Sequence, residues 1–183
     1  NCIEFALEKY PREDHRHRIE HAGLTQPDLL ERMKKLGVIV SPNPGFYYNI
    51  GDEYEKFYGD RIMHPIRDWL DAGLKPAAGS DMPVTKYYSP LFGIWGAVTR
   101  TTRSGQIYGG QQRISLQEAI RLYTWNGAYA TFEENIKGSI ENGKLADLVV
   151  LNDLLLNIPV DKIKDLKVEL TMIDGEIVYQ KKD

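Results

Sequence analysis

The sequence predicts an α/β body followed by a small β appendage. The first half alternates short apolar runs with amphipathic segments in the order strand, helix, strand, helix, strand. Its middle run, Val38-Ile39-Val40, is apolar on both faces, which suits a parallel sheet covered on both sides. The last part instead carries short strand-like runs around Asp174-Gly175, a hairpin signal. With 183 residues, 42% of them hydrophobic and 27% charged, the chain is long enough for one sizeable core.

Each element follows from local chemistry. Residues 1–10 read as a helix, with Ile3, Ala6, Leu7 and Tyr10 at helical spacing but no cap and no preceding strand. The chain is therefore expected to be the C-terminal part of something longer. Residues 16–21 read as a short strand. Thr25 with Asp28 three positions later, and Pro27 in the first turn, start a helix that Gly37 ends. Residues 42–59, rich in Gly, Pro and aromatics, read as a long loop. Residues 65–72 form a helix closed by Gly73, and 75–79 the third strand, laid beside the others by right-handed crossovers. A helix over 90–101 and a polar Gly-rich loop follow. Ser115 and Glu118 then open a helix running to Ala130 as a capping box. Beyond Gly138, residues 148–151, 168–173 and 177–179 read as strands. The expected domains are 1–137 and 138–183.

A net charge of -3 without a basic stripe gives no reason to expect nucleic acid. No apolar run approaches the length of a membrane span. Cys2, the single cysteine, rules out an internal disulfide and a cysteine-based zinc site, and favours a cytoplasmic location.

Two strand ends carry candidate chemistry, since the C-terminal edge of an α/β sheet is where such folds place their sites. Alternation puts His17, Ile19 and His21 on one face, with Arg18 and Glu20 on the other. Asp81 ends the third strand, and small Ala77 and Gly79 beside it leave room for an ion and a substrate. One intervening strand sets the two ends about 10 Å apart, so inward side chains could meet around one ion. Imidazole with carboxylate suits zinc, which can lower the pKa of bound water to about 7.

Plainer roles stay open: His21 as a hydrogen-bonded structural residue, and Asp81 as a turn cap. His15, His17 and His64 are assigned structural roles. Phe46, Tyr47 and Tyr48 either line a pocket for an apolar substrate group or pack the loop onto the body. Trp69, Trp95 and Trp125 are assigned to the core. Arg100 and Arg103 read as anion binders or as solvated helix-end cations.

The run His17-Arg18-Ile19-Glu20-His21-Ala22, followed by Gly79-Ser80-Asp81-Met82-Pro83-Val84, resembles the amidohydrolase superfamily. The similarity is greatest to the amidohydrolase 3 branch, which holds N-substituted formamide deformylases and is related to D-aminoacylases. Ala97-Val98-Thr99-Arg100, the run from Tyr123 to Ala130 and the run from Gly138 to Leu148 match in the same order. The resemblance implies a (β/α)8 TIM barrel, of which this chain supplies strands six to eight, and part of a β-sandwich. It implies that His21 binds metal at the end of strand six. It also implies that Asp81, ending strand eight, contacts metal and acts as general acid/base in hydrolysis of a small amide-type substrate at a non-peptide C–N bond. One or two divalent ions, zinc foremost, are implied for the complete enzyme.

The family's first-strand His-X-His pair, its bridging ligand and its fifth-strand histidine have no counterpart after Asn1. The isolated chain is therefore expected to be inactive, to hold metal weakly or not at all, and to need the upstream part of the same protein. An exposed sheet edge would also invite pairing with another chain, a homo-oligomer included. A barrel glycosidase using Glu20 and Asp81 is the rival enzyme class. Alternation opposes it, because Glu20 faces away from the interior when His21 faces in.

Overall fold

A computed structural model describes residues 1–59 and 61–182. The body is built on two parallel strands, β1 (Arg18–Glu20) and β2 (Ile39–Ser41), in the register Arg18 to Ile39, Ile19 to Val40 and Glu20 to Ser41. Helix α1 (Cys2–Lys9) precedes them and is held to α2 (Pro27–Leu36) by Arg32, whose guanidinium lies 2.6 Å from Glu4. The proline in the first turn of α2 and the left-handed Gly37 at its end match the expected signals. The expected Thr25 cap does not form. Gln26 is the N-cap, and the Thr25 hydroxyl turns back to donate to Ala22 O.

The third expected strand, 75–79, is extended but forms no complete ladder. Ala77 N donates to Val40 O and Gly79 N to Pro42 O, both at 2.9 Å, which is parallel pairing opposite Ser41. The reciprocal bond would come from residue 42, and proline has no N–H to give. On its other side Ala78 N donates to Leu122 O instead of to a strand.

Residues 42–59 are not a loop, contrary to expectation. After the Pro42–Gly45 turn they form α3 (Phe46–Tyr58), which buries Tyr47 and Gly51. The mid-helix glycine is there for contact: a Cβ on Gly51 would lie 2.8 Å from the Thr102 methyl. Helix α4 (Ile66–Asp71) and the mostly buried α5 (Pro90–Thr99) follow. The capping box of Ser115 and Glu118 starts α6 (Leu116–Tyr123) as expected. The helix then breaks at Thr124 (φ -123°, ψ -95°) and resumes as α7 (Trp125–Ala130). Gly138 crosses close to the break, where a Cβ would meet the Trp125 Cα at 3.0 Å.

The C-terminal strands β3 (Leu148–Leu151), β4 (Val168–Ile173) and β5 (Glu176–Gln180) form an antiparallel sheet in that order. Asp174 and Gly175 turn with φ of 49° and 81°, the left-handed pair that a two-residue hairpin favours. Between β3 and β4, residues Val160–Asp165 make a 3-10 turn that packs on α5 and buries Ile163 in the same core as Val40, Trp69, Trp95 and Leu122. Trp69 and Trp95 are core as expected, whereas Trp125 is half-buried and stacks on Tyr129. Among the described residues no helix is long and apolar enough to cross a membrane.

Candidate metal centre

The three parallel segments end on one edge, and their next residues converge there. His21 leaves β1 with φ 62°, followed by Ala22 at 47°, and Asp81 has φ 56°. Left-handed backbone costs an L residue about 1 kcal/mol or more, least for Asp and Asn. Here it turns both side chains off the strand path and toward each other. His21 Nε2 and Asp81 Oδ2 are 3.9 Å apart, with the two side chains 49% and 33% exposed.

Asn43, at the end of the middle strand, fixes the imidazole. Its Oδ1 lies 2.6 Å from His21 Nδ1, so Nδ1 carries the proton and donates. In the neutral ring Nε2 then keeps its lone pair, facing Asp81. The 3.9 Å gap is too long for a hydrogen bond, yet short enough for both atoms to reach one ion at about 2 Å each. The donor set therefore fits a divalent metal. Among the described residues no group of three or more His, Cys, Asp or Glu side chains gathers around an ion position. The described residues thus offer two donors here, where a zinc site takes at least three from protein.

Of the three aromatics in the first turn of α3, Phe46 stacks on His21, ring centroids 6.3 Å apart. Tyr47 is fully buried and donates to His64 O, while Tyr48 packs edge-on against Tyr87, Phe92 and Trp95. His64 lies behind Phe46, 6.5 Å between centroids, and its N–H donates to Gly23 O. Burial, then the charge of Arg100 and the nearby His21, push its pKa down to about 3, so it is a neutral packing group.

The remaining candidates lie elsewhere. His15 and His17 stack on each other, with His15 Nε2 2.6 Å from Leu36 O. Glu20 is exposed and paired with Arg18, away from Asp81. Arg100 is no solvated cation but is fully buried, and Arg103 is exposed. The residue missed in the sequence is Asn43. Its signal was available, because it is the polar side chain just past the middle strand on the same sheet edge.

The amidohydrolase family profile matches residues 2–179. An N-substituted formamide deformylase from Arthrobacter pascens is 33% identical over 90% of this chain. A putative amidohydrolase, YtcJ of Bacillus subtilis, is 31% identical over 96% of it. The chain spans 31% and 34% of the length of these two relatives. Among solved structures, an uncharacterized metal-dependent hydrolase from Pyrococcus horikoshii matches 87% of this chain and 33% of its own, with a TM-score of 0.72 and 24% identity. That similarity shows a shared α/β fold. With the family profile covering nearly every residue, the chain belongs to the amidohydrolase family.

Proposed function

We propose that this chain is the C-terminal part of a metal-dependent amidohydrolase that cleaves non-peptide C–N bonds of small amide-type substrates. The observation that carries the reading is the convergence of His21 Nε2 on Asp81 Oδ2, with the other ring nitrogen tied to Asn43. His21 and Asp81 would hold a divalent ion, and imidazole with carboxylate suits zinc. When bound, such an ion polarises a carbonyl and acidifies water. Asp81 takes the proton of the attacking water on a carboxylate oxygen and returns it to the leaving nitrogen. Asn43 keeps the His21 ring in one tautomer throughout. Phe46, stacked on His21, is the aromatic we assign to the substrate's approach.

In this reading β1, β2 and the extended 75–79 segment are strands six to eight of a (β/α)8 barrel, and β3–β5 are part of a sandwich. The missing ligands then come from chain outside these residues, consistent with relatives about three times as long. The isolated 183 residues are inactive, and the parent enzyme is active. Asp81→Asn in the parent tests the chemistry. Turnover is expected to vanish with the fold intact, because asparagine accepts the left-handed backbone and cannot shuttle the proton. Wild-type-like turnover in that variant sinks the assignment.

A further inference from the structure

We propose that the buried Arg100 is a positioning residue for His21, acting through the backbone of residues 61–64. The inference rests on the role proposed for His21 above. Arg100 is fully buried, and its hydrogen bonds go to carbonyls: Nε to Tyr108 O at 2.6 Å, Nη1 to His64 O at 3.1 Å and Nη2 to Met63 O at 2.9 Å. Its plane lies 3.8 Å from the Tyr47 ring centroid. An apolar side chain would fill this space with less desolvation. It could not satisfy the buried Met63 and Tyr108 carbonyls, which have no other partner among the described residues, or join them to His64 O.

The same segment is fastened on its other groups. Met63 N donates to the Tyr108 hydroxyl, which donates to Arg61 O, both at 2.9 Å. His64 O also accepts from Ile66 N at 2.8 Å and from the Tyr47 hydroxyl at 3.2 Å. Arg100, Tyr108 and Tyr47 thus form a cradle that fixes residues 61–64, including the left-handed His64 at φ 48°.

What the cradle presents outward is the His64 N–H, which donates to Gly23 O at 2.8 Å. Gly23 closes the turn formed by His21 and Ala22, two successive non-glycine residues in left-handed backbone. Such a pair persists only where the surroundings over-determine it. The strand side is fixed by His21 N to Ser41 O and Ala22 N to Glu20 O. The far side is fixed by His64. A line of hydrogen bonds therefore runs from the Arg100 guanidinium, through the Met63 and His64 peptide units, to the turn that aims His21.

NMR of the metal-free 183-residue chain tests this, reading the His21 tautomer from its ring 15N shifts and the exchange protection of the His64 amide. In Arg100→Met the His64 amide is expected to lose at least about tenfold protection relative to the amides of α6. The His21 ring is expected to spread over both tautomers. Arg100→Lys, a point charge that cannot span three carbonyls, gives an intermediate result. Ile163→Ala, a cavity elsewhere in the core, leaves both signals at wild-type values after correction for global stability. Unchanged signals in a folded Arg100→Met chain overturn the proposal, as does an equal change in Ile163→Ala. If Arg100→Met does not fold, Tyr108→Phe removes one hydroxyl of the cradle, and an unchanged His64 amide there overturns it. Neither readout involves metal or substrate, so an active Asp81→Asn parent enzyme would defeat the proposed reaction without touching this result.

Discussion

Asn43 decides which nitrogen of His21 is free. Asn43→Ala removes the acceptor for Nδ1–H, so the ring is expected to sample both tautomers and zinc affinity of the completed site to fall about 10–100-fold. Ring 15N shifts and metal titration of the parent check the two effects. His64 gives a second expectation at this scale. Its folded pKa is lowered from 6.5 to about 3, with burial the largest cause. The unfolded chain therefore takes up a proton that the folded chain refuses. The resulting stability is present above about pH 6.5 and is lost as pH falls toward 3, at no more than about 1.4 kcal/mol per pH unit. Urea midpoints should fall between pH 7 and 5, and His64→Gln should flatten that slope. The depressed carboxylates, such as Glu118 beside the Ser115 N–H and Arg67, act only below their ordinary value of 4.5. While their roles belong to the proposed function, that His21 and Asp81 fall on one edge of the parallel segments was legible from the alternation of strand and helix patterns. Arg100 was not, since its burial depends on the 101–112 loop folding back so that Tyr108 O meets its side chain.

Among the elements, α5 meets the turn that leads into α3 at unusually close range. A Cβ on Gly96 would lie 2.6 Å from Pro44 O, a backbone atom with little freedom to retreat. Helix propensity favours alanine over glycine by about 1 kcal/mol, but the clash outweighs it, so Gly96→Ala is expected to destabilise by about 1–3 kcal/mol. A raised urea midpoint would contradict the packing. The elements show where pattern reading stops. The strands 148–151 and 168–173 coincide with β3 and β4, because period-two alternation and a hairpin pair are local signals. Helix α3 was hidden by Pro42, Pro44, Gly45 and Gly51, which read as breakers; Gly51 sits where the Thr102 methyl leaves no room for a side chain. The α6–α7 break at Thr124 was invisible for a related reason. Its close neighbour is Gly138, remote from the local pattern.

For the molecule as a whole, a long-range return crosses the boundary expected at 137/138. Ile163 and Leu166 are buried, with Ile163 joining the core of the body, so the C-terminal part helps to hold α5. The three-stranded sheet is otherwise thinly covered. Val149 and Tyr179, aligned through Thr171 on β4, are 57% and 48% exposed. An apolar sheet face open to water favours association. Val149→Lys is expected to lower the light-scattering mass of concentrated chain with no loss of thermal stability; an unchanged mass would show that this face is not what sticks. The whole-molecule identity was legible from several motifs in register. A complete ligand set was not, because among the described residues no third donor gathers with His21 and Asp81.

The left-handed backbone at His21 and Asp81 has an evolutionary consequence. Glycine would relieve the left-handed cost at each position, about 1–2 kcal/mol for a typical L residue and less for Asp. Selection for thermal robustness alone, with no demand for turnover, should therefore rewrite positions 21 and 81 early, and each such gain would delete a side chain that the proposed reaction uses. A stabilised descendant of this chain that keeps both residues would carry the imprint of selection for chemistry, readable without an assay.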